Sequence, residues 1–365
     1  MKVKDITALI EAIAPPAYQE SYDNAGLQTG DPEQSIEAVL LCLDSTEAVV
    51  DEAIQKGCKL IIAHHPLIFK GLKQINGKTD VERTLIKAIR NGIAIYAAHT
   101  NLDNVFYKGV NHKLAQRLGL LSPQILQPKT GQLVKLVVYV PPAYEDTIRQ
   151  AFFDAGAGNI GRYSECSFSM TGQGTFRPGA DAKPFSGQNG IREQAEEVRI
   201  EALVPAHLSD KVLISVRAVH PYEEMAYEQI ALENAHAELG SGMIGTLPEP
   251  MDALEFLNLL KNKLDLALVK HTNFEGKISR VAVCGGSGSF LLSAAIRSGA
   301  DAFVTADVKY HEFFDAIGKL MFCDVGHYES EISTLELFYE VIQEKFPTFA
   351  VRFCETSTNP IHYHK

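Results

Sequence analysis

The sequence predicts an α/β fold in which two pseudo-repeated βαβ halves build one domain, with a small ferredoxin-like α+β domain inserted between them. Three observations lead there. A strand–helix–strand pattern occurs twice, the stretch between the copies follows a different order, and matching strands of both copies run out into strings of histidine and acidic residues.

The chain opens with MKVKDITALIEAIAPP, residues 1–16. Asp5 and Glu11 interrupt the apolar run that a secretory leader needs, so the segment reads as a short amphipathic helix ended by Pro15 and Pro16. Residues 37–66 (EAVLLCLDSTEAVVDEAIQKGCKLIIAHHP) then read as a buried strand, an amphipathic helix closed by Gly57, and a second buried strand over 60–63. Residues 279–308 (SRVAVCGGSGSFLLSAAIRSGADAFVTADV) repeat that order. Sliding one onto the other pairs Cys42 with Cys284, Gly57 with Gly299 and Ile62 with Val304 at a single offset.

After each copy comes another helix and another buried strand, over 93–98 in the first half and 320–323 in the second. Both strands lead into a His-x-x-x-acid string, HTNLD (99–103) and HYESE (327–331). Short, continuously apolar strands alternating with helices predict a largely parallel sheet covered on both faces. Ligands of such sheets sit beyond the carboxyl ends of the strands, where these polar groups fall.

The middle reads differently: a strand at 134–140, a helix at 144–155, a glycine-rich hairpin region at 156–179, a strand at 198–204, a helix at 207–219 and a strand within 222–232. That is the order of ferredoxin-like domains. The expected division is therefore 1–130 and 236–365 for the two halves of the metal domain, with 131–235 as the insert.

The bulk composition narrows the function. At 365 residues two domains are expected, and hydrophobic (46%) and charged (22%) contents are those of an ordinary globular chain. No apolar run approaches the roughly 20 residues of a membrane helix. A formal charge of −11 without a basic stripe disfavours nucleic acid as a partner. Six widely spaced cysteines with no CxxC pair argue against a thiolate zinc site and a disulfide framework, and point to reduced thiols in the cytoplasm.

The chemistry concentrates at the strand ends. His64 and His65 close the run IIAHHP, where Pro66 stops the strand and the turning backbone lets both imidazoles reach one site. His327 and Glu331, four apart, share one face of a helix. With Asp103 they make a set of imidazole nitrogens and carboxylate oxygens suited to zinc, iron(II) or manganese, and two carboxylates suffice to bridge two ions. Three neutral histidines and two carboxylates leave positive charge on two dications, enough to bind hydroxide or a phosphate-bearing substrate. His311, in TADVKYHEF with Asp307 and Lys309, is a candidate general acid or base, and His99 a candidate outer ligand or proton carrier. Glu329 is expected to face solvent. The run GGSGS at 285–289 offers backbone amides to a phosphate, although it lacks the lysine of a P-loop.

Five ordered strings, YDNAGLQTG (22–30), AHHPLIF (63–69), AAHTNLDN (97–104), DVKYH (307–311) and GHYESE (326–331), resemble the motifs of the NGG-interacting-factor-like family. Its bacterial members carry the name GTP cyclohydrolase 1 type 2 homologues. The resemblance spans nearly the whole chain. It implies a dinuclear metal centre on His64, His65, Asp103, His327 and Glu331, a toroidal homohexamer with the metals facing a cavity, and a PII- or CutA-like insert, matched here by GNIGRYSECSFSMTGQGTFRP (158–178) and HPYEEMAY (220–227). Tyr22 stands where the family commonly has tryptophan, and Ala25 where it often has valine. The expected function is that of a metal-dependent hydrolase for a nucleotide or phosphorylated small molecule; the alternative is a regulatory or metal-handling assembly whose insert senses an effector.

Overall fold

The computed structural model describes residues 1–364. The chain forms two compact units, one from Met1–Gln127 together with the chain from Glu238 onward, the other from Pro128–Ala237.

The first half of the larger unit runs α1 (Val3–Ile13), β1 (Gly26–Thr29), β2 (Ala38–Cys42), α2 (Glu47–Gln55), β3 (Leu60–Ala63), α3 (Asp80–Arg90), β4 (Ala94–Ala97), α4 (Thr100–Asp103), α5 (Val110–Arg117) and β5 (Leu121–Pro128). Every residue of β2, β3 and β4 is buried, as the unbroken apolar runs require of strands covered on both faces. The Thr46 hydroxyl accepts from the Val49 amide to start α2, and Gly57, at φ +68°, turns the chain out of it.

The smaller unit is β6 (Leu133–Val140), α6 (Glu145–Asp154), β7 (Phe168–Phe176), β8 (Glu193–Pro205), α7 (Ser209–Val219) and β9 (Tyr227–Leu232). Its antiparallel sheet has the order β7-β8-β6-β9. Leu136, Val138 and Val140 alternate on the face that packs against Ile148 and Phe152 of α6 and Val212 and Val216 of α7.

The larger unit resumes with β10 (Gly240–Met251), α8 (Ala253–Leu264), β11 (Lys270–His271), β12 (Ile278–Val283), α9 (Leu292–Arg297), β13 (Ala302–Thr305), α10 (Glu312–Ala316), β14 (Met321–Asp324), α11 (His327–Glu331), α12 (Thr334–Lys345) and β15 (Ala350–Phe353). Each half centres its own sheet, ordered β1-β4-β3-β2-β15 and β11-β14-β13-β12-β10-β5. The repeated strands β2, β3, β4 and β12, β13, β14 are parallel. Val39, Leu41 and Ile62 face α1 and α12, while Leu40, Ile61 and Ile95 face α2 and α3.

The halves trade edge strands. β5 of the first half borders the second sheet, and β15, from the end of the chain, pairs in parallel with β2 of the first. Both are short of buried residues, so neither carries an apolar pattern that ties it to one half. The exchange makes the halves one body and brings the far end of the chain beside β2.

Candidate metal centre

The residues that end β2, β3 and β4 and those that follow β13 and β14 meet in the larger unit. His64 follows β3 and is fully buried; its Nδ1–H donates to the Ala98 carbonyl at 2.8 Å. A carbonyl can only accept, so Nδ1 carries a proton, and Nε2 is the ring nitrogen left to face the cleft. That Nε2 lies 3.7 Å from Asp103 Oδ1 and 3.7 Å from Glu331 Oε1. Neither His64 Nε2 nor Asp103 Oδ1, both closed off from solvent, has a hydrogen-bond partner. Two such buried polar atoms without a partner are costly unless a cation lies between them.

The other histidines follow the same design. Nδ1 of His65 faces Asp44 Oδ1 at 2.7 Å, Nδ1 of His327 faces Asp307 Oδ2 at 2.7 Å, and Nδ1 of His99 faces Asp23 Oδ1 at 2.8 Å. Four imidazoles thus have Nδ1 held by an oxygen, the arrangement that fixes ring orientation in metal-ligating histidines. His65 Nε2 lies 3.0 Å and His327 Nε2 3.1 Å from Glu331 Oε2, and the two imidazole nitrogens are 3.3 Å apart. Atoms bound to one tetrahedral zinc at about 2.0–2.2 Å stand roughly 3.4 Å from one another, so separations of 3.0 to 3.7 Å fit a shared ion. His64, His65 and His99 form one group able to hold a metal ion, and His65, His327 and Glu331 form another.

Glu331 is 3% exposed and is reached by three imidazoles. Burial, the largest influence, opposes its charge, but His64, His327 and His65 hold its carboxyl well below the ordinary range. Asp103 is shifted the other way, raised chiefly by burial. Burial also works against a charged His65, yet the bonds to Asp44 and Glu331 prevail and lift it to about 10; the bond to Glu331 lifts His327 to about 9. Oppositely shifted carboxyls in one cleft make it a candidate functional site.

The five expected ligands are therefore brought together, with His99 beside them. His311 stands outside this group, exposed at the start of α10 with its ring against Tyr310 and Phe314. Glu329 is partly buried and accepts from Asn359. The glycine loop has a different use from the one its composition suggests. The Gly285 amide donates to Asn111, the Gly286 amide to Ser330 and the Gly288 amide to Thr305, so these three donors are already engaged. Gly286 has φ +60°, and a Cβ there would strike Glu331 Oε1. Glycine is what lets the loop lie against the buried carboxylate.

Asp23, Asp44 and Thr358 were not singled out by sequence reasoning. Asp44 lies two residues beyond the carboxyl end of β2, a position that topology alone marks; Asp23 lies inside the string YDNAG, and nothing local marks Thr358. Asp307, named only as a neighbour, holds His327 from a left-handed backbone conformation at φ 54°, and also accepts from Ser287.

Fold and cluster together define a mixed α/β protein with a buried histidine and glutamate group suited to a metal ion. The model of the DUF34/NIF3 (NGG1p interacting factor 3) family matches residues 1–360, and the chain belongs to that family. It is 41% identical over 367 residues to a GTP cyclohydrolase 1 type 2 homolog of Bacillus subtilis, covering 99% of this chain and 98% of that one. A Bacillus cereus protein related to NIF3 superposes with a TM-score of 0.83 at 39% identity, over 100% of this chain and 99% of the other. A Staphylococcus aureus protein does so with a TM-score of 0.78 at 30% identity, again over 100% and 99%. No helix among the described residues is long and apolar enough to cross a membrane.

Proposed function

We propose that the chain holds two divalent metal ions, zinc, iron(II) or manganese, and is a metal-dependent hydrolase for a nucleotide or phosphorylated small molecule. The observation that carries this is the pair of unpartnered buried atoms, His64 Nε2 and Asp103 Oδ1, with the same Nε2 3.7 Å from Glu331 Oε1, while Glu331 Oε2 faces His65 and His327. Glu331 then bridges two ligand groups, His64 with Asp103 on one side and His65 with His327 on the other. Two ions bound there supply a water of near-neutral pKa and offset negative charge on the substrate.

The remaining roles belong to the chain's own side chains. Asp23 keeps the His99 ring fixed through Nδ1, which leaves Nε2 to take up and return a proton at the cleft. His99 lines that cleft, of about 280 Å³, with Asp103, His327 and Glu331, and His311 does not; we therefore assign the proton-handling role to His99. The relatives' name is GTP cyclohydrolase 1 type 2 homolog; in the reaction proposed on that basis, water would attack C8 of the purine imidazole ring and formate would leave. Purified protein is expected to release formate from guanine nucleotides and to lose that activity in Asp103→Ala. Absence of turnover with zinc, iron or manganese loaded would remove the ring-opening reaction.

The same reading takes the smaller unit as a ferredoxin-like, PII- or CutA-like insert, the assembly as a toroidal homohexamer, and the compartment as the cytoplasm. A cavity of about 500 Å³ in the smaller unit, lined by Phe176, Phe185, Tyr222 and Glu197, favours the second reading, in which an effector binds the insert and the metals are structural or cargo. Rapid metal exchange without hydrolysis across a nucleotide panel would select it.

A further inference from the structure

The cleft over the candidate ligands is unevenly lined. Three aromatic side chains stand at it with much of their surface open: Tyr22 is 64% exposed, Phe69 45% and Phe290 65%. The Tyr22 and Phe69 rings lie 6.3 Å apart, inclined at 53°, and Phe69 meets the His99 ring edge-on at 6.2 Å. Single exposed aromatics are common, but three gathered along one cleft form a surface for a flat apolar face.

The charges point the same way. Among the described residues no lysine or arginine lines this cleft; its acidic groups are Glu20, Asp103 and Glu331. Polyphosphate sites normally add a lysine, an arginine fork or a row of free backbone amides, and the glycine loop's amides named above are turned inward to Asn111, Ser330 and Thr305. Two dications set against Asp103 and Glu331 leave about two positive charges, whereas a nucleoside triphosphate brings about four negative charges. The surplus suits one phosphate at most.

We propose that the cleft takes a planar heterocyclic ring carrying no more than one phosphate, held between Tyr22 and Phe69 with its face on one ring and its edge toward the other, and that it does not select for a polyphosphate chain. The charge half of this proposal rests on the two-metal reading above; the stacking half rests on the aromatic rim. The ring's polar edge then points toward the metal ligands, and Phe290 shields its outer side from water.

The test is equilibrium binding, independent of turnover, on the full chain with its metals present. Guanosine, adenosine, a pterin, GMP, GTP and ribose 5-phosphate are compared at low and high salt. Guanosine and GMP are expected to bind within a few-fold of one another, GTP no more tightly, and ribose 5-phosphate not detectably. Tyr22→Ala and Phe69→Ala are expected to weaken guanosine roughly tenfold, the usual scale for losing one aromatic stacking partner, while Tyr22→Phe retains it and metal content stays at the wild-type value in all three. GTP binding tenfold tighter than GMP and lost in salt would overturn the charge argument. Unchanged guanosine binding in Tyr22→Ala, or a change of oligomeric state in its place, would overturn stacking. If the metal-loaded wild type binds no ring compound, the substrate class fails while the metal reading survives; if rings bind but no formate appears, only the hydrolase reading fails.

Discussion

The Thr358 hydroxyl donates to Asp44 Oδ2 at 2.7 Å, and the other oxygen of the same carboxylate holds His65 Nδ1, also at 2.7 Å. A residue beyond β15 thus orients a histidine of the first half. Removing the hydroxyl in Thr358→Val frees Asp44 to turn and loosens the His65 ring. Metal affinity measured by competition with a chelator is expected to fall about tenfold or more, the usual scale for such supporting contacts. Thr358→Ser is expected to keep wild-type affinity.

That segment is anchored in turn by Glu52, 8% exposed, whose carboxylate accepts from the backbone amides of Glu355 at 2.8 Å and Thr356 at 2.9 Å and pairs with Lys56 at 2.7 Å. Burial works against the charge, but Lys56, Thr356, Glu355 and Cys354 outweigh it and hold the carboxyl well below its ordinary value. A depressed folded-state pKa means stability that is complete above the unfolded value near 4.5 and disappears as pH falls below it. Glu52→Gln is expected to cost about 1–3 kcal/mol at neutral pH, with the gap from wild type narrowing in acid, as read by denaturant unfolding at several pH values.

Gly286→Ala tests the loop. The substitution puts a methyl group against Glu331 Oε1 at a backbone φ of +60°. It is expected to leave secondary structure intact by circular dichroism and to reduce bound metal to less than half of wild type. A full complement of metal would mean that the loop yields without disturbing Glu331.

Proton release offers a pH test. Without metal, the contacts with Asp44 and Glu331 raise His65 to about 10 and the bond to Glu331 raises His327 to about 9, so both are expected to carry an extra proton at pH 7.5. Ligation requires neutral imidazole, so binding must displace these protons, and affinity must rise with pH until about 9 to 10. Calorimetric titration in buffers of differing ionisation enthalpy is expected to report one to two protons released per chain at pH 7.5.

Much of this was legible in the residues. The apolar runs that became β2, β3, β4, β12, β13 and β14 are short, unbroken and fully or largely buried, so periodicity marked them; their matched spacing revealed the repeat. That His64, His65, Asp103, His327 and Glu331 gather in one place follows from strands whose carboxyl ends lie side by side. What escaped was non-local. The exchange of β5 and β15 depends on edge pairing with no apolar signature. The grip of Thr358 on Asp44 joins residues remote in the chain, and Gly286 is dictated by a carboxylate that only the folded chain brings near it.

Metal analysis of protein purified without added metal, then reloaded and washed, bears most directly on the central claim. Two divalent ions per chain are expected in the wild type, with Asp103→Ala and His327→Ala each reducing that number and Glu331→Ala abolishing binding. A wild-type chain that stays metal-free after exposure to zinc, iron(II) and manganese, or one whose metal content is indifferent to Glu331, would contradict it.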